Sequence, residues 1–258
     1  MNRSIAIDRA LVRLVNAALA LSLALAFATA ARAQTSTPRV EARRPLNVFF
    51  IGNSFISVND MPGMLAEVGN ARGSGPRIRT GSTIILGGNL KDLWGWGWRS
   101  MPDRFDYVIL QEGTPTLLSR PEQTARYAAL FDAVVRASGS RTILLVPWAR
   151  ASQRDTQPAM DRSIRTIAKD LGVAVAPVGL AWRIAQERAP GLTLYLPDQR
   201  HPAPIGSYIA ACVIYLVITS SGESCPPIPV ISASAGDIAV AQYAAVRALR
   251  MRPVNKRR

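Results

Sequence analysis

Leu46-Asn47-Val48-Phe49-Phe50-Ile51-Gly52-Asn53-Ser54 is the stretch whose reading decides the fold: an apolar run that empties into glycine, asparagine and a hydroxyl. A nearly continuous apolar segment of this length, bounded by turn residues, fits a parallel strand covered on both faces. Four more runs share its character: 78–85, Tyr107-Val108-Ile109-Leu110-Gln111, Arg141 to Val146, and Val173 to Val178. Helical patterns lie between and after them, near 60–72, 89–98, 121–138, 157–171, 179–188, 203–220 and 236–250. The alternation predicts an α/β protein, a three-layer α/β/α sandwich built on a doubly wound, five-stranded parallel sheet. Right-handed crossovers favour the flavodoxin-like strand order 2-1-3-4-5. Such sheets bind ligands beyond the carboxyl ends of their strands. The segments to read for function are therefore Gly52-Asn53-Ser54, Gly87-Gly88-Asn89, Gln111-Glu112-Gly113 and Pro147-Trp148.

The ends of the chain bound its setting. Arg3, Arg9 and Arg13 precede an apolar stretch, and Ala31-Arg32-Ala33 supplies a small-residue cleavage site, so residues 1–33 read as a secretory signal. Cleavage after Ala33 predicts a periplasmic or secreted protein, with an uncleaved anchor as the alternative. No second stretch is long and apolar enough to span a bilayer, so no stable membrane insertion is expected after cleavage. Residues 34–45 read as a polar, disordered linker, 46–252 as one domain and 253–258 as a basic tail. Removing the signal takes away four arginines and one aspartate and lowers the net charge from +14 to +11. Only Lys91, Lys169 and Lys256 are lysines, and the arginines are scattered. With no basic stripe and no reading motif, no nucleic-acid partner is expected. Cys212 and Cys225 lie in a chain bound for a disulfide-permissive compartment; a structural bridge and a buried free Cys212 both remain open.

One histidine, His201, occurs in the whole chain, in Asp198-Gln199-Arg200-His201. Any imidazole acid–base chemistry must pass through it. Ser54, taken alone, reads as a cap or turn hydroxyl, Asp198 as a surface carboxylate and His201 as a structural imidazole. Together they supply a nucleophile, an orienting acid and a base, in the order Ser…Asp…His. The three-residue spacing lets the carboxylate take the Nδ1 proton and leaves Nε2 to face the serine.

Phe49-Phe50-Ile51-Gly52-Asn53-Ser54-Phe55 resembles the first block of the SGNH (GDSL-type) hydrolases, with Asn53 where the usual pattern has aspartate. Leu196-Pro197-Asp198-Gln199-Arg200-His201-Pro202 resembles their last block, and the likeness spans residues 46 to about 220. The resemblance implies a Ser54–His201–Asp198 triad and an oxyanion hole made by the Ser54 N–H, a glycine N–H and an amide side chain. Gly87-Gly88-Asn89-Leu90 is similar to the glycine block, with Gly88 favoured and Gly87 beside it. The usual asparagine block is missing, so Gln111, in L-Q-E, is expected to donate in its place. The G-N-S-F and L-Q-E blocks resemble a poorly characterised branch of the superfamily. Asn53, Gly87, Asn89 and Trp148 are weaker candidates for substrate contact.

Other chemistries leave little trace. There is no G-x-S-x-G elbow, no H-E-x-x-H or Cys/His cluster and no G-x-G-x-x-G after the first strand. Glu112 with Asp198 is a weaker candidate for a glycosidase carboxylate pair. Trp94, Trp96 and Trp98, with Trp148, read either as a platform for sugar or acyl groups or as ordinary packing. The expectation is an exported serine esterase, with no metal or organic cofactor, acting on a small-molecule or glycan ester such as O-acetylated carbohydrate. A non-catalytic carbohydrate-binding relative and an acyltransferase using the same triad stay open, as does the oligomeric state.

Overall fold

The computed structural model describes residues 44–71, 77–98, 104–220, 224–229 and 232–251. The expected signal, most of the linker and the basic tail lie outside these residues. Five strands form one sheet: β1 (Leu46–Gly52), β2 (Ile78–Ile84), β3 (Tyr107–Gln111), β4 (Arg141–Leu145) and β5 (Ala174–Ala176). All pairings are parallel, in the order β2-β1-β3-β4-β5, as the alternating pattern predicts. Register is set at the centre, where Phe50 of β1 pairs with both Ser82 of β2 and Ile109 of β3.

Side chains of a strand alternate between faces, and here both faces are apolar. Val48 and Phe50 enter one core together with Ile109, Ile143 and Leu145. Ile51 enters the other with Val108, Leu110, Leu144 and Val146. Helices cover both: α1 (Ser54–Ser57), α2 (Met61–Ala71), α3 (Leu90–Gly95), α4 (Thr114–Ser119), α5 (Pro121–Ala137), α6 (Gln157–Leu171), α7 (Val178–Arg188), α8 (Pro204–Thr219) and α9 (Ala235–Arg250). The first core takes residues from α2, α7, α8 and α9, the second from α3, α5 and α6. Proline stands in the first turn of α4, α5, α6 and α8, where its missing N–H costs no helical bond.

Helix α8 is buried on nearly every side because it packs against α2, α7 and α9 as well as against β5. Among the described residues, no helix is long and apolar enough to cross a membrane. A Cys212–Cys225 disulfide joins α8 to the following loop, which decides the cysteine question in favour of the bridge. Three short elements escape the sequence pattern: α1, α4 and the 3-10 segment Ala151–Thr156. Each is six residues or fewer, too short for a helical apolar period to register. All three follow the carboxyl ends of strands, α1 after β1, α4 after β3 and the 3-10 segment after β4.

Candidate active site

Strand β1 delivers Ser54 through a crowded turn. A Cβ on Gly52 would lie 2.5 Å from Ile56 Cδ1 and 2.7 Å from Gln111 Oε1, so a side chain here would displace both of those residues. Asn53 then caps α1, its Oδ1 accepting from the Phe55 N–H at 3.1 Å. The capping role that Ser54 might have filled thus belongs to Asn53. Ser54 becomes the first helical residue, and its N–H has no acceptor within the helix.

The second segment is tied into a tight turn before α8. Asp198 Oδ1 accepts from the N–H groups of Arg200 (3.1 Å) and His201 (2.9 Å), while Oδ2 meets His201 Nδ1 at 2.5 Å. Gln199 takes a left-handed conformation (φ 59°) to let the chain fold back over the carboxylate. His201 Nε2 then lies 2.9 Å from Ser54 Oγ, across 147 positions of sequence. The hydrogen bond from the His201 ring, followed by that from its backbone, holds the Asp198 carboxyl down at about 2. An ionised carboxylate on Nδ1 favours the tautomer with the proton there, so Nε2 is the acceptor for the serine hydroxyl.

Three hydrogen bonds brace this turn, the last two from elsewhere in the chain. Leu196 N–H donates to the His201 carbonyl at 2.9 Å, Trp148 Nε1 to that of Arg200 at 3.1 Å, and Asn59 Nδ2 to that of Pro202 at 2.8 Å. An aromatic column stands beneath. Phe55 meets the imidazole edge-on at 5.7 Å and stacks on Trp148 at 4.8 Å; Trp148 stacks on Trp182 at 4.3 Å. Trp148 is 1% exposed, so its expected contact with substrate gives way to a supporting role. Sequence position did place it at the rim; only packing shows that its faces are already covered. Trp94 and Trp98 likewise pack against Phe131, leaving Trp96 exposed at the tip.

The expected oxyanion donors need correction. Gln111 is fully buried, its Oε1 accepting from the Asn53 N–H at 3.0 Å and its Nε2 donating to the Glu112 carbonyl at 2.5 Å. Its amide braces the backbone of the serine turn, and the side chain is closed off from the cavity surface. Gly88 is no better placed: its N–H closes a turn onto the Ile85 carbonyl at 2.9 Å, with Gly87 at φ 69°, and its carbonyl accepts from Asn53 Nδ2 at 3.0 Å. Asn89 caps α3 through Lys91 and Asp92. Glu112 is buried, accepting from the N–H groups of Leu90 and Gly113 and the Thr124 hydroxyl; burial pushes its carboxyl up. It does not pair with Asp198 as a glycosidase acid would.

A cavity of about 90 Å³ opens over Ser54, walled by Asn53, Phe55, Gly87, Gly113 and Thr114, with Pro115, Arg150 and Arg200. Gly113 permits the loops to close up, since a Cβ there would lie 3.3 Å from the Gly88 carbonyl oxygen. Thr114 and Arg150 carry no motif signal and Arg200 fills a variable position of the last block, so their meeting at Ser54 was legible only through the fold. The Thr114 hydroxyl is buried and has no hydrogen-bond partner among the described residues. Among those residues, no three His, Cys, Asp or Glu side chains converge as a metal-ligand group.

No protein-family model and no curated protein matches the chain by sequence. Solved structures match in shape. A DUF4886 family protein from Bacteroides uniformis ATCC 8492 superposes with a TM-score of 0.66 at 20% identity, over 80% of this chain and 95% of its own. The acetyl xylan esterase AlAXEase gives 0.52 at 15%, over 66% and 98%. A member of the lipolytic protein G-D-S-L family from Veillonella parvula DSM 2008 gives 0.53 at 13%, over 68% and 100%. With its parallel sheet in the order 2-1-3-4-5 and helices on both faces, the chain has the SGNH (GDSL-type) hydrolase fold.

Proposed function

We propose that this protein is an exported serine esterase that removes short acyl groups, such as acetyl groups borne by carbohydrate. The observation that carries the reading is the unbroken relay Ser54 Oγ–His201 Nε2 at 2.9 Å and His201 Nδ1–Asp198 Oδ2 at 2.5 Å. Ser54 Oγ attacks the ester carbonyl carbon while its proton passes to His201 Nε2. Asp198 stabilises the imidazolium and holds the ring in orientation. Collapse of the tetrahedral intermediate expels the alcohol, which takes the proton from Nε2 and leaves an acyl-serine. Water, deprotonated by the same nitrogen, then releases the carboxylic acid and restores Ser54.

The developing oxyanion needs donors that are not otherwise engaged. We assign the Ser54 N–H as one. We assign Thr114 as the second, in the place first expected of Gln111: the residue lines the cavity, and its buried hydroxyl has no partner among the described residues that would compete for the proton. A cavity of about 90 Å³ suits a short acyl group better than a fatty chain. The likeness in fold to an acetyl xylan esterase agrees with an acetylated glycan as substrate.

The test is activity-based labelling. A fluorophosphonate probe should modify Ser54, and Ser54→Ala and His201→Ala should each abolish hydrolysis of a short-chain aryl ester. Undiminished turnover in either folded variant would end the assignment.

A further inference from the structure

Two arginines, Arg150 and Arg200, line the cavity that holds Ser54. They line it together with Asn53, Phe55 and Thr114, and no acidic side chain contributes to the wall. Among the described residues, neither arginine side chain makes an ion pair or a hydrogen bond. Arginines elsewhere do find partners: Arg44 pairs with Asp106, Arg136 with Asp132 and Arg183 with Glu187. Others lie over aromatic rings, as Arg141 does on Tyr107 and Arg188 on Tyr243.

The two carboxylates already described at this end of the sheet have other partners. Asp198 faces His201 and two backbone N–H groups, and Glu112 is buried with three donors on its carboxylate. Backbone geometry holds the two arginine-bearing segments side by side. The Ala151 N–H, next to Arg150, donates to the carbonyl of Gln199, next to Arg200, at 3.0 Å. The Arg200 carbonyl is fixed by Trp148 Nε1, and the Arg150 carbonyl by the Gln153 N–H at 2.9 Å. Two like charges held together on a concave wall focus a positive field on whatever enters. Guanidinium forks match carboxylate geometry in particular.

We propose that Arg150 and Arg200 select esters that carry a carboxylate close to the scissile carbonyl. This rests on the serine esterase reading of the same cavity. The carboxylate can belong to the acid part, as in a half-ester of a dicarboxylic acid, or to the alcohol part, as in an acylated hydroxy acid or uronic acid. Either brings the missing counter-charge, and a neutral ester of the same shape does not.

Two matched pairs test this by steady-state kcat/KM: monoethyl glutarate against ethyl pentanoate for the acid side, and 3-acetoxybenzoate against methyl 3-acetoxybenzoate for the alcohol side. At least one anionic member should exceed its neutral partner by about tenfold, the scale of a favourable charge contact at a partly enclosed site. The preferred pair identifies which side of the ester carries the charge. In the double variant Arg150→Gln, Arg200→Gln, with an unchanged circular dichroism spectrum and melting temperature, that ratio should fall to about one. Salt should erode it as the screening length shrinks from about 30 Å at 0.01 M to about 3 Å at 1 M. Neutral esters preferred in both pairs, or a ratio that survives the double variant, would overturn the proposal. If Ser54 is labelled and neutral esters turn over without charge preference, only this inference fails. If no ester turns over and Ser54 resists labelling, the esterase reading fails and takes this one with it.

Discussion

Replacing Gln111 by leucine separates two roles that a glutamine at the end of β3 could play. Leucine has similar bulk and no polar atoms. It leaves the Asn53 N–H and the Glu112 carbonyl, each bonded to Gln111 in the native protein, without those partners in a region where both residues are buried. A buried polar group stripped of its partner costs about 1–3 kcal/mol, so Gln111→Leu should lose about 2–6 kcal/mol. Against a total of about 5–15 kcal/mol for an ordinary domain this is severe. It corresponds to a fall in Tm of about 5–20 °C at this chain length. Urea unfolding followed by tryptophan fluorescence reads the loss directly, and aryl ester hydrolysis, measured well below the new Tm, reads the activity. A glutamine that instead served the oxyanion would behave in reverse, with a kcat loss of about 100- to 1000-fold. A Gln111→Leu variant whose stability lies within about 0.5 kcal/mol of the parent, yet whose kcat has collapsed, would refute the bracing role.

The companion substitution Thr114→Val should show the opposite pattern. Removing a buried hydroxyl that has no partner among the described residues leaves stability unchanged or slightly raised, while kcat falls by about 100-fold if Thr114 serves the oxyanion; equal kcat would remove it from the mechanism. Replacing both cysteines of the Cys212–Cys225 bridge, which spans 13 positions, by alanine should lower stability by about 3 kcal/mol in urea. Burial holds the Glu112 carboxyl above its ordinary 4.5, so the native state keeps that proton more tightly than the unfolded chain and stability declines as pH rises past 4.5. Asp198, held at about 2 against an ordinary 3.8, acts in the other direction: its contribution is present above 3.8 and is lost as pH falls toward 2. Unfolding midpoints across this range should show both slopes, and Glu112→Gln should flatten the first; an unchanged slope in that variant would assign the decline to other groups.

How much was legible differs between the fold and the site. Apolar runs with turn residues at their ends specify parallel strands locally, and the helical periods between them are long enough to be read. The five strands and the six helices longer than six residues therefore stand within a few residues of where the pattern places them, and the short α3 falls inside the segment expected at 89–98. The blocks around Ser54 and around Asp198 and His201 were legible for a similar reason. Each is short, local and chemically unusual, and a chain with one histidine leaves few alternatives.

What the sequence by itself determined is thus the sheet, its order and three candidate reactive groups, because each follows from neighbours close in the chain. Tertiary structure alone decided how the polar groups around them are shared out. Gln111 and Gly88 carry the right chemistry for an oxyanion, yet Gln111 is fully buried with Nε2 donating to Glu112, and the Gly88 N–H donates to Ile85. Trp148 sits at the rim, yet its faces are closed by Phe55 and Trp182. Thr114 and Arg150 belong to no motif and Arg200 only to a variable position of one, yet they meet in one cavity over Ser54. A donor is free only if nothing else in the folded chain has taken it, and the competitors for these donors come from other strands and loops.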